Sequence, residues 1–275
     1  MALISIVVPF FNSSETIGIS LRSIKKQQFK DFECLLIDDG SFDNSTSIVK
    51  KFIDKDKRFK LFKNPKKGVV SARNYGIKKS KGRYLTFLDA DDIWHPLFLK
   101  ESILFRKNSI KDIPITHSSY YRFNLSGEKL KSELVKPPKN VNHKNILKKN
   151  FLPLLTTLID RKIIREIYFD DARPEDYKLW INLIYVMKNY SISLEKPLAY
   201  YRVSDNQRSN NKFMSLRRIF KLYGQIPDAN FINQIINTIN WFLYNSIQRI
   251  NKAEEIDKNN IDYLKKTLNY SKISE

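Results

Sequence analysis

Residues 84–94, Tyr-Leu-Thr-Phe-Leu-Asp-Ala-Asp-Asp-Ile-Trp, constrain this chain more than any other stretch, because an apolar, β-prone run stops abruptly at Asp89, Asp91 and Asp92. Three carboxylates within four residues repel one another, and a hard divalent cation that also holds phosphate oxygens relieves that repulsion. Such a run is the end of a strand delivering acids to a metal-bound diphosphate. An acidic loop or a helix cap is the alternative for an Asp-Ala-Asp standing alone, so the surrounding pattern decides.

That pattern is an alternation of strands and helices. Leu3 to Val8 reads as a buried strand closed by Pro9, and Asn12-Ser13-Ser14-Glu15 has the form of a capping box opening a helix with Ile17, Leu21 and Ile24 on one face. Phe32 to Ile37 is a second strand running into Asp38-Asp39-Gly40-Ser41, followed by a helix carrying Ile48, Val49, Phe52 and Ile53. A short strand at Phe59 to Phe62, a helix at Val69 to Lys79 and a strand at Tyr84 to Leu88 complete the series. The rhythm predicts an α/β fold with a mostly parallel central sheet flanked by helices. Ligands in such sheets bind beyond the carboxyl ends of the strands, so Pro9 to Asn12, Asp38 to Ser41 and Asp89 to Asp92 are expected to face one crevice.

The second half is less regular. Ile115 to Phe123 and Lys129 to Val135 flank Asn124-Leu125-Ser126-Gly127 and predict a hairpin, and Leu155 to Asp160 reads as a further strand. Glu175 and Asp176 open a helix whose Leu179, Leu183 and Ile184 are spaced to bury one face. From about Lys212 the pattern is three helices rich in Phe, Tyr, Leu and Lys.

Composition narrows the class. At 42% hydrophobic over 275 residues the chain can bury a sizeable core, and its single cysteine, Cys34, excludes a disulfide framework and suits a buried strand in a reducing compartment. His95, His117 and His143 match no zinc spacing, so a metal is expected on oxygen ligands. No apolar run approaches the roughly 20 residues of a spanning helix, and Leu3 to Phe11 lacks a basic leader, which predicts a cytoplasmic protein. The formal charge of +20 would attract nucleic acid, anionic lipid or nucleotide-linked substrates without choosing among them. There is no Gly-x-Gly-x-x-Gly after the first strand and no P-loop.

Taken together, the chain resembles a family 2 glycosyltransferase of the GT-A fold. Val7-Val8-Pro9-Phe10-Phe11-Asn12 resembles the family's opening strand and turn, Leu36-Ile37-Asp38-Asp39-Gly40-Ser41 its nucleoside-binding turn, Lys67 to Ile77 its glycine-bounded helix, and Phe87-Leu88-Asp89-Ala90-Asp91-Asp92 its Asp-x-Asp metal motif. Glu175-Asp176-Tyr177-Lys178-Leu179-Trp180 resembles the helix start that holds the catalytic base, and Tyr200-Tyr201-Arg202-Val203 a short closing motif of bacterial members. The likeness covers roughly residues 3–210 and implies a nucleotide-sugar-binding half over 1–94, an acceptor-binding half over 95–210 and a C-terminal helical extension over 211–275.

The resemblance implies roles residue by residue. Asp39 would contact the base of the nucleotide with Asp38 beside it, and Pro9, Phe10 and Asn12 would form the rest of that pocket. Asp89 would hold the ribose or a metal-bound water, and Asp91 would ligate Mg²⁺ or Mn²⁺ on the diphosphate. Asp176 would be the general base of an inverting transfer from a UDP-sugar to a saccharide or lipid-linked acceptor in cell-surface polysaccharide synthesis. Glu175 and Asp176 are alternatively helix-start acids favoured by the helix dipole. Arg73 would touch a phosphate or form a surface pair, and Arg202 and Ser209 would order a loop over the diphosphate. Trp94 has two open roles, core or sugar contact; Trp180 and Leu179 are expected in the core, and His117 faces either cleft or core.

A nucleotidyltransferase has a similar sheet and metal carboxylates, but Phe10 to Ser14 is not the glycine-rich basic loop such enzymes place after the first strand. A basic nucleic-acid-binding protein would suit the charge, yet carboxylates in the crevice would repel phosphodiesters. The helix at Phe213, Leu216, Ile219, Phe220 and Tyr223 also carries Lys212, Arg217, Arg218 and Lys221. Its apolar side is expected either to pack on the catalytic domain or to lie on an anionic bilayer, which would make the protein peripheral at the inner face of the plasma membrane.

Overall fold

The computed structural model describes residues 2–109, 112–126, 129–203, 212–227, 230–248 and 258–269. Its first part is built from β1 (Ile4–Phe10), α1 (Ile17–Lys25), β2 (Phe32–Asp38), α2 (Ser45–Lys55), β3 (Phe59–Lys63), α3 (Val69–Lys79) and β4 (Tyr84–Phe87). These strands run parallel in the order β3-β2-β1-β4. Helices cover both faces of the sheet, so β1 is buried at every position and reads as a continuous apolar run. The period of two still sorts its side chains. Val7, Leu35, Ile37, Leu85 and Phe87 enter one core with Ala72 of α3, while Ile6, Val8, Cys34 and Leu36 enter another with Ile17, Leu21 and Val49. Gly76 lets α3 press onto β1: a Cβ there would lie 2.4 Å from a methyl of Val7.

Two local expectations fail here for the same reason. Pro9 does not close the first strand but lies within it opposite Ile37, and β1 runs on to Phe10, whose carbonyl accepts the Asp39 N–H at 2.9 Å. The capping box at Asn12 to Glu15 does not form, and α1 begins at Ile17 without a side-chain cap. Asn12 adopts φ 46°, the left-handed region that asparagine tolerates, and its side chain accepts the Phe42 N–H at 3.0 Å. The Ser13 N–H donates to Ser45 Oγ and the Ser14 N–H to Asp43. Partners about 30 residues away in the β2–α2 turn have displaced the local cap.

The sheet continues as β4-β9-β6-β10-β5, with β7 added to β6 and β8 to β10, giving ten strands among the described residues. These are β5 (Ile93–Trp94), β6 (Ile115–Ser126), β7 (Lys129–Val135), β8 (Asn140–Val141), β9 (Thr157–Asp160) and β10 (Ser191–Arg202). β9 runs antiparallel to both β4 and β6, so the sheet is mixed, although β6 and β10 are again parallel. The hairpin expected from β6 and β7 pairs Tyr120 with Val135 through to Ser126 with Lys129; Gly127 lies outside the described residues. α4 (Phe98–Lys107) covers one face, and α5 (Glu175–Trp180) continues as a wider π turn over Ile181–Val186.

Three more helices follow, α6 (Lys212–Tyr223), α7 (Phe231–Gln248) and α8 (Lys258–Asn269). Ile219, Leu222 and Tyr223 of α6 enter the same core as Tyr177 and Trp180, and Leu264 and Leu268 of α8 pack with Tyr121 and Tyr200. The buried side of α6 therefore packs on the α/β core, the first of the two outcomes open to it from sequence.

Candidate active site

The carboxyl ends of β1, β2 and β4 deliver the site. At the end of β2, Asp38 forms the turn itself: its Oδ1 accepts the N–H groups of Gly40 (3.1 Å) and Ser41 (2.8 Å), and its Oδ2 accepts the Thr46 hydroxyl (3.0 Å). Asp39 points the other way, to the loop before α3, where it accepts Asn64 Nδ2 at 2.6 Å and the Gly68 N–H at 2.9 Å. Gly68 has φ 115°, which a side chain would strain, so the N–H can be aimed at Asp39 only by glycine. Phe10 is buried in the core, and the exposed aromatic groups at this end are instead Phe11 and Phe42, edge to face with centroids 5.9 Å apart.

At the end of β4 the three acids separate. Asp92 is buried and accepts the Arg202 N–H of β10 at 2.9 Å. Burial, followed by the charges of Asp91 and Asp89, holds its pKa well above the usual carboxylate range. Asp91 is an exposed residue, yet desolvation by the surrounding protein and then the Asp89 charge raise its pKa as well. Arg202 Nε donates to the Asp91 carbonyl at 3.0 Å, which ties the Tyr-Tyr-Arg motif to the acidic turn; Ser209 lies outside the described residues.

Arg73 joins this cluster to the second half of the chain. It is neither a surface pair nor free to face a phosphate in this arrangement: it is buried, with Nη2 on the Asp89 carboxylate (2.9 and 3.2 Å) and Nη1 on Glu175 (3.1 Å). The adjoining Asp176 accepts Asn150 Nδ2 at 2.8 Å. Burial and then the Glu175 charge raise the Asp176 pKa, against the opposing pull of Arg73 and its hydrogen bonds. One guanidinium thus holds the acidic turn of β4 and the start of α5 together, although 86 residues separate Asp89 from Glu175. Glu175 is an ion-pair partner rather than a simple dipole acid.

The helix bearing Asp176 is anchored from behind. The Tyr177 hydroxyl lies 3.0 Å from that of Tyr223 on α6, which itself donates to the Leu147 carbonyl, and Lys178 Nζ donates to the Gln225 carbonyl at 2.9 Å.

Residues left open by sequence resolve as core. Trp94 is fully buried, stacks on Phe98 and donates Nε1 to the Leu155 carbonyl. His117 is buried between Ser191 Oγ (2.7 Å) and the Pro138 carbonyl (3.0 Å), and burial lowers its pKa to about 4. Trp180 and Leu179 are core as expected. Sequence reasoning missed Asn64, Asn150 and Phe42. Only Asn64 carried a signal, the Asn64-Pro65 turn dipeptide; the other two are defined by contacts between segments distant in sequence.

A divalent cation fits the acidic turn only in part. Among the described residues no group of three or more His, Cys, Asp or Glu is arranged to hold a metal. Asp89, expected as a second ligand, has both oxygens on Arg73, which leaves the exposed Asp91 as the carboxylate of this turn that could take a cation. One carboxylate completed by substrate phosphates and water is the usual pattern for Mg²⁺.

A parallel β3-β2-β1-β4 sheet, continued as a mixed sheet, with acids gathered at its strand ends, is the arrangement of a GT-A glycosyltransferase. The chain belongs to glycosyl transferase family 2, whose family model matches residues 5–167. It is 31% identical over 253 residues to an uncharacterized glycosyltransferase of Haemophilus influenzae, covering 92% of this chain and 99% of that protein. It is also 31% identical, over 88% of this chain and 92% of the relative, to the Escherichia coli UDP-Glc:alpha-D-GlcNAc-diphosphoundecaprenol beta-1,3-glucosyltransferase WfgD. The fold matches that of Staphylococcus aureus TarS 1-349, solved in complex with UDP-GlcNAc, with a TM-score of 0.65 at 19% identity over 89% of this chain and 72% of that one. Membership of this family decides against the nucleotidyltransferase and nucleic-acid-binding alternatives. Among the described residues no helix is long and apolar enough to cross a membrane.

Proposed function

We propose that the protein is an inverting glycosyltransferase that moves a sugar from a UDP-sugar to a hydroxyl of a lipid-linked saccharide in the synthesis of a cell-surface polysaccharide. The observation that carries this reading is the Arg73 bridge, because it sets the Asp89 to Asp92 turn beside Asp176, the geometry that a single displacement between donor and acceptor needs. The donor and acceptor classes follow those named for the Escherichia coli relative.

In this reading residues 1–94 bind the nucleotide and 95–210 the acceptor, with 211–275 as a helical extension. Asp39 and the Gly68 loop face the base beside Phe11 and Asn12, with Asp38 holding the turn and Pro9 and Phe10 supporting it from within β1. Asp91 would hold Mg²⁺ or Mn²⁺, which would supply positive charge to the departing diphosphate. Asp176 takes the proton of the acceptor hydroxyl as that oxygen bonds to the anomeric carbon; the bond from that carbon to the diphosphate breaks on the opposite face, and UDP leaves with the electron pair. Its raised pKa makes Asp176 a stronger base than an exposed carboxylate while Arg73 keeps it ionisable.

A thermal-shift screen of nucleotide sugars with Mn²⁺ identifies the donor, and Asp176→Asn tests the base. The variant is expected to fold and bind donor but to lose roughly 10²-fold or more in turnover. Near-native turnover would assign Asp176 to the helix start alone.

A further inference from the structure

We propose that the outer face of α7 is a docking surface for a lipid bilayer bearing anionic headgroups. The inference rests on the lipid-linked acceptor proposed above and adds the surface that would meet the membrane. α7 has no Asp, Glu, Lys or Arg from Phe231 to Gln248. Phe231, Ile232, Ile236, Ile239, Phe242 and Leu243 recur along one side and are between 42% and 67% exposed. The polarity of this helix is inverted. Its inner side carries Gln234, whose Nε2 donates to the Phe220 carbonyl, beside Trp241 and Tyr244, which pack on the core. A water-facing helix puts its apolar stripe inward, and a contiguous apolar face of this extent outward is the mark of an interaction surface.

Charge selects the occupant. α6, which packs against α7, contains no acid and exposes Arg217, Arg218 and Lys221. An apolar face beside cations, on a protein of net charge +20, is complementary to the acyl boundary and phosphates of an anionic leaflet. A second copy of this chain docked face to face would bring the two sets of cations toward each other. The placement also suits a lipid-borne acceptor. Tyr244 of α7 packs edge-on against Phe151 with centroids 5.7 Å apart, and the preceding Asn150 holds Asp176. The inner side of α7 is therefore anchored next to the residue that holds Asp176, and its outer face lies on the far side of the same helix. The proposed surface also gives the neighbouring helix the bilayer contact that was one of the two outcomes open to α6, whose Ile219, Leu222 and Tyr223 are buried in the core.

The test is flotation of the full chain with phosphatidylcholine vesicles, with and without phosphatidylglycerol, at low and high salt. Binding is expected only with phosphatidylglycerol, weakening with salt, and falling roughly tenfold or more in Ile236→Glu/Leu243→Glu as glutamate enters the apolar interface. Arg217→Gln/Arg218→Gln should weaken binding in the same direction, and this pair carries the test if the glutamate pair melts early. Lack of wild-type flotation at low salt overturns the proposal. So does light scattering that shows a dimer which the glutamate pair dissociates, with no lipid binding by the wild type. UDP-sugar binding in solution, measured on the same proteins, should be unchanged; its absence would count against the proposed function, whereas failed flotation with intact donor binding counts only against the membrane surface.

Discussion

The acidic turns at the ends of β2 and β4 have similar composition and are satisfied to very different degrees. Asp38 and Asp39 are met by the backbone N–H groups of Gly40, Ser41 and Gly68 and by Thr46 and Asn64. Asp91 and Asp92 repel one another and Asp89, and their pKa values are raised. The first turn has made its carboxylates part of the fold, while the second keeps negative charge in reserve for a cationic ligand. In the proposed function the first turn is the nucleoside cradle and the second the diphosphate and metal site, and the contrast predicts opposite responses to mutation.

The largest effect should come from the group that makes the second turn tolerable. Arg73→Gln leaves Asp89 and Glu175 without their shared cation; because Asp89 is partly exposed, the loss is expected near the lower end for a broken buried ion pair, about 3 kcal/mol. Denaturant unfolding of the apo protein measures it. A loss below about 1 kcal/mol, the range of an exposed pair, would mean that the bridge is not structural.

Exchanging each acid for its amide sharpens the contrast. Asp38→Asn exchanges a carboxylate that accepts three hydrogen bonds for an amide, and should cost about 1–2 kcal/mol. Asp91→Asn should leave the apo protein slightly more stable, since the fold disfavours that charge, and should abolish the divalent-ion dependence of UDP binding. Equal destabilisation by both variants would erase the distinction between the turns.

The pH dependence has a sign. Asp91, Asp92 and Asp176 have raised pKa values in the folded protein, so their contribution to stability is full below the ordinary carboxylate range and is lost as pH rises through the raised values. Asp43 does the reverse: although partial desolvation opposes it, hydrogen bonds from Ser45 and Ser14 lower its pKa to about 2, and its contribution is lost only as pH falls toward that value. Apo melting temperatures of wild type and Asp91→Asn/Asp176→Asn should therefore diverge in favour of the variant as pH rises above the ordinary carboxylate range. The acidic limb of wild-type turnover should lie above that range too, because Asp176, as the proposed base, must be ionised to act.

The smallest effect expected is that of Tyr223→Phe, which removes the hydroxyl pairing α6 with Tyr177 and Leu147. It should cost about 1 kcal/mol, leave UDP binding intact and lower turnover with acceptor modestly by loosening the helix that carries Asp176. Reduced donor binding would show that α6 supports the nucleotide half instead.

Much of this was legible before any coordinates. Sequence bounds Val69–Lys79 to the residue, and β2, β3 and β4 to within one, because each is an apolar or amphipathic run ended by Ser, Asp or Asn-Pro. The Asn12 to Glu15 cap and the end of β1 were misjudged where the β2–α2 turn supplies stronger partners than the local sequence does. Sequence singles out Arg73 but not its bridge between Asp89 and Glu175: a cation on a lysine-rich helix looks solvated until tertiary packing buries it.

The sequence by itself determined the alternation of elements, and with it the parallel sheet and the acids at its strand ends, because periodicity and turn chemistry act over a few residues. Only the tertiary structure decided which acids are satisfied, which one Arg73 ties to which, and that α7 turns its apolar side outward. Those are long-range matters: desolvation and ion pairing depend on groups that the chain brings together from far apart, 102 residues in the case of Arg73 and Glu175, and no local pattern encodes the distance between them.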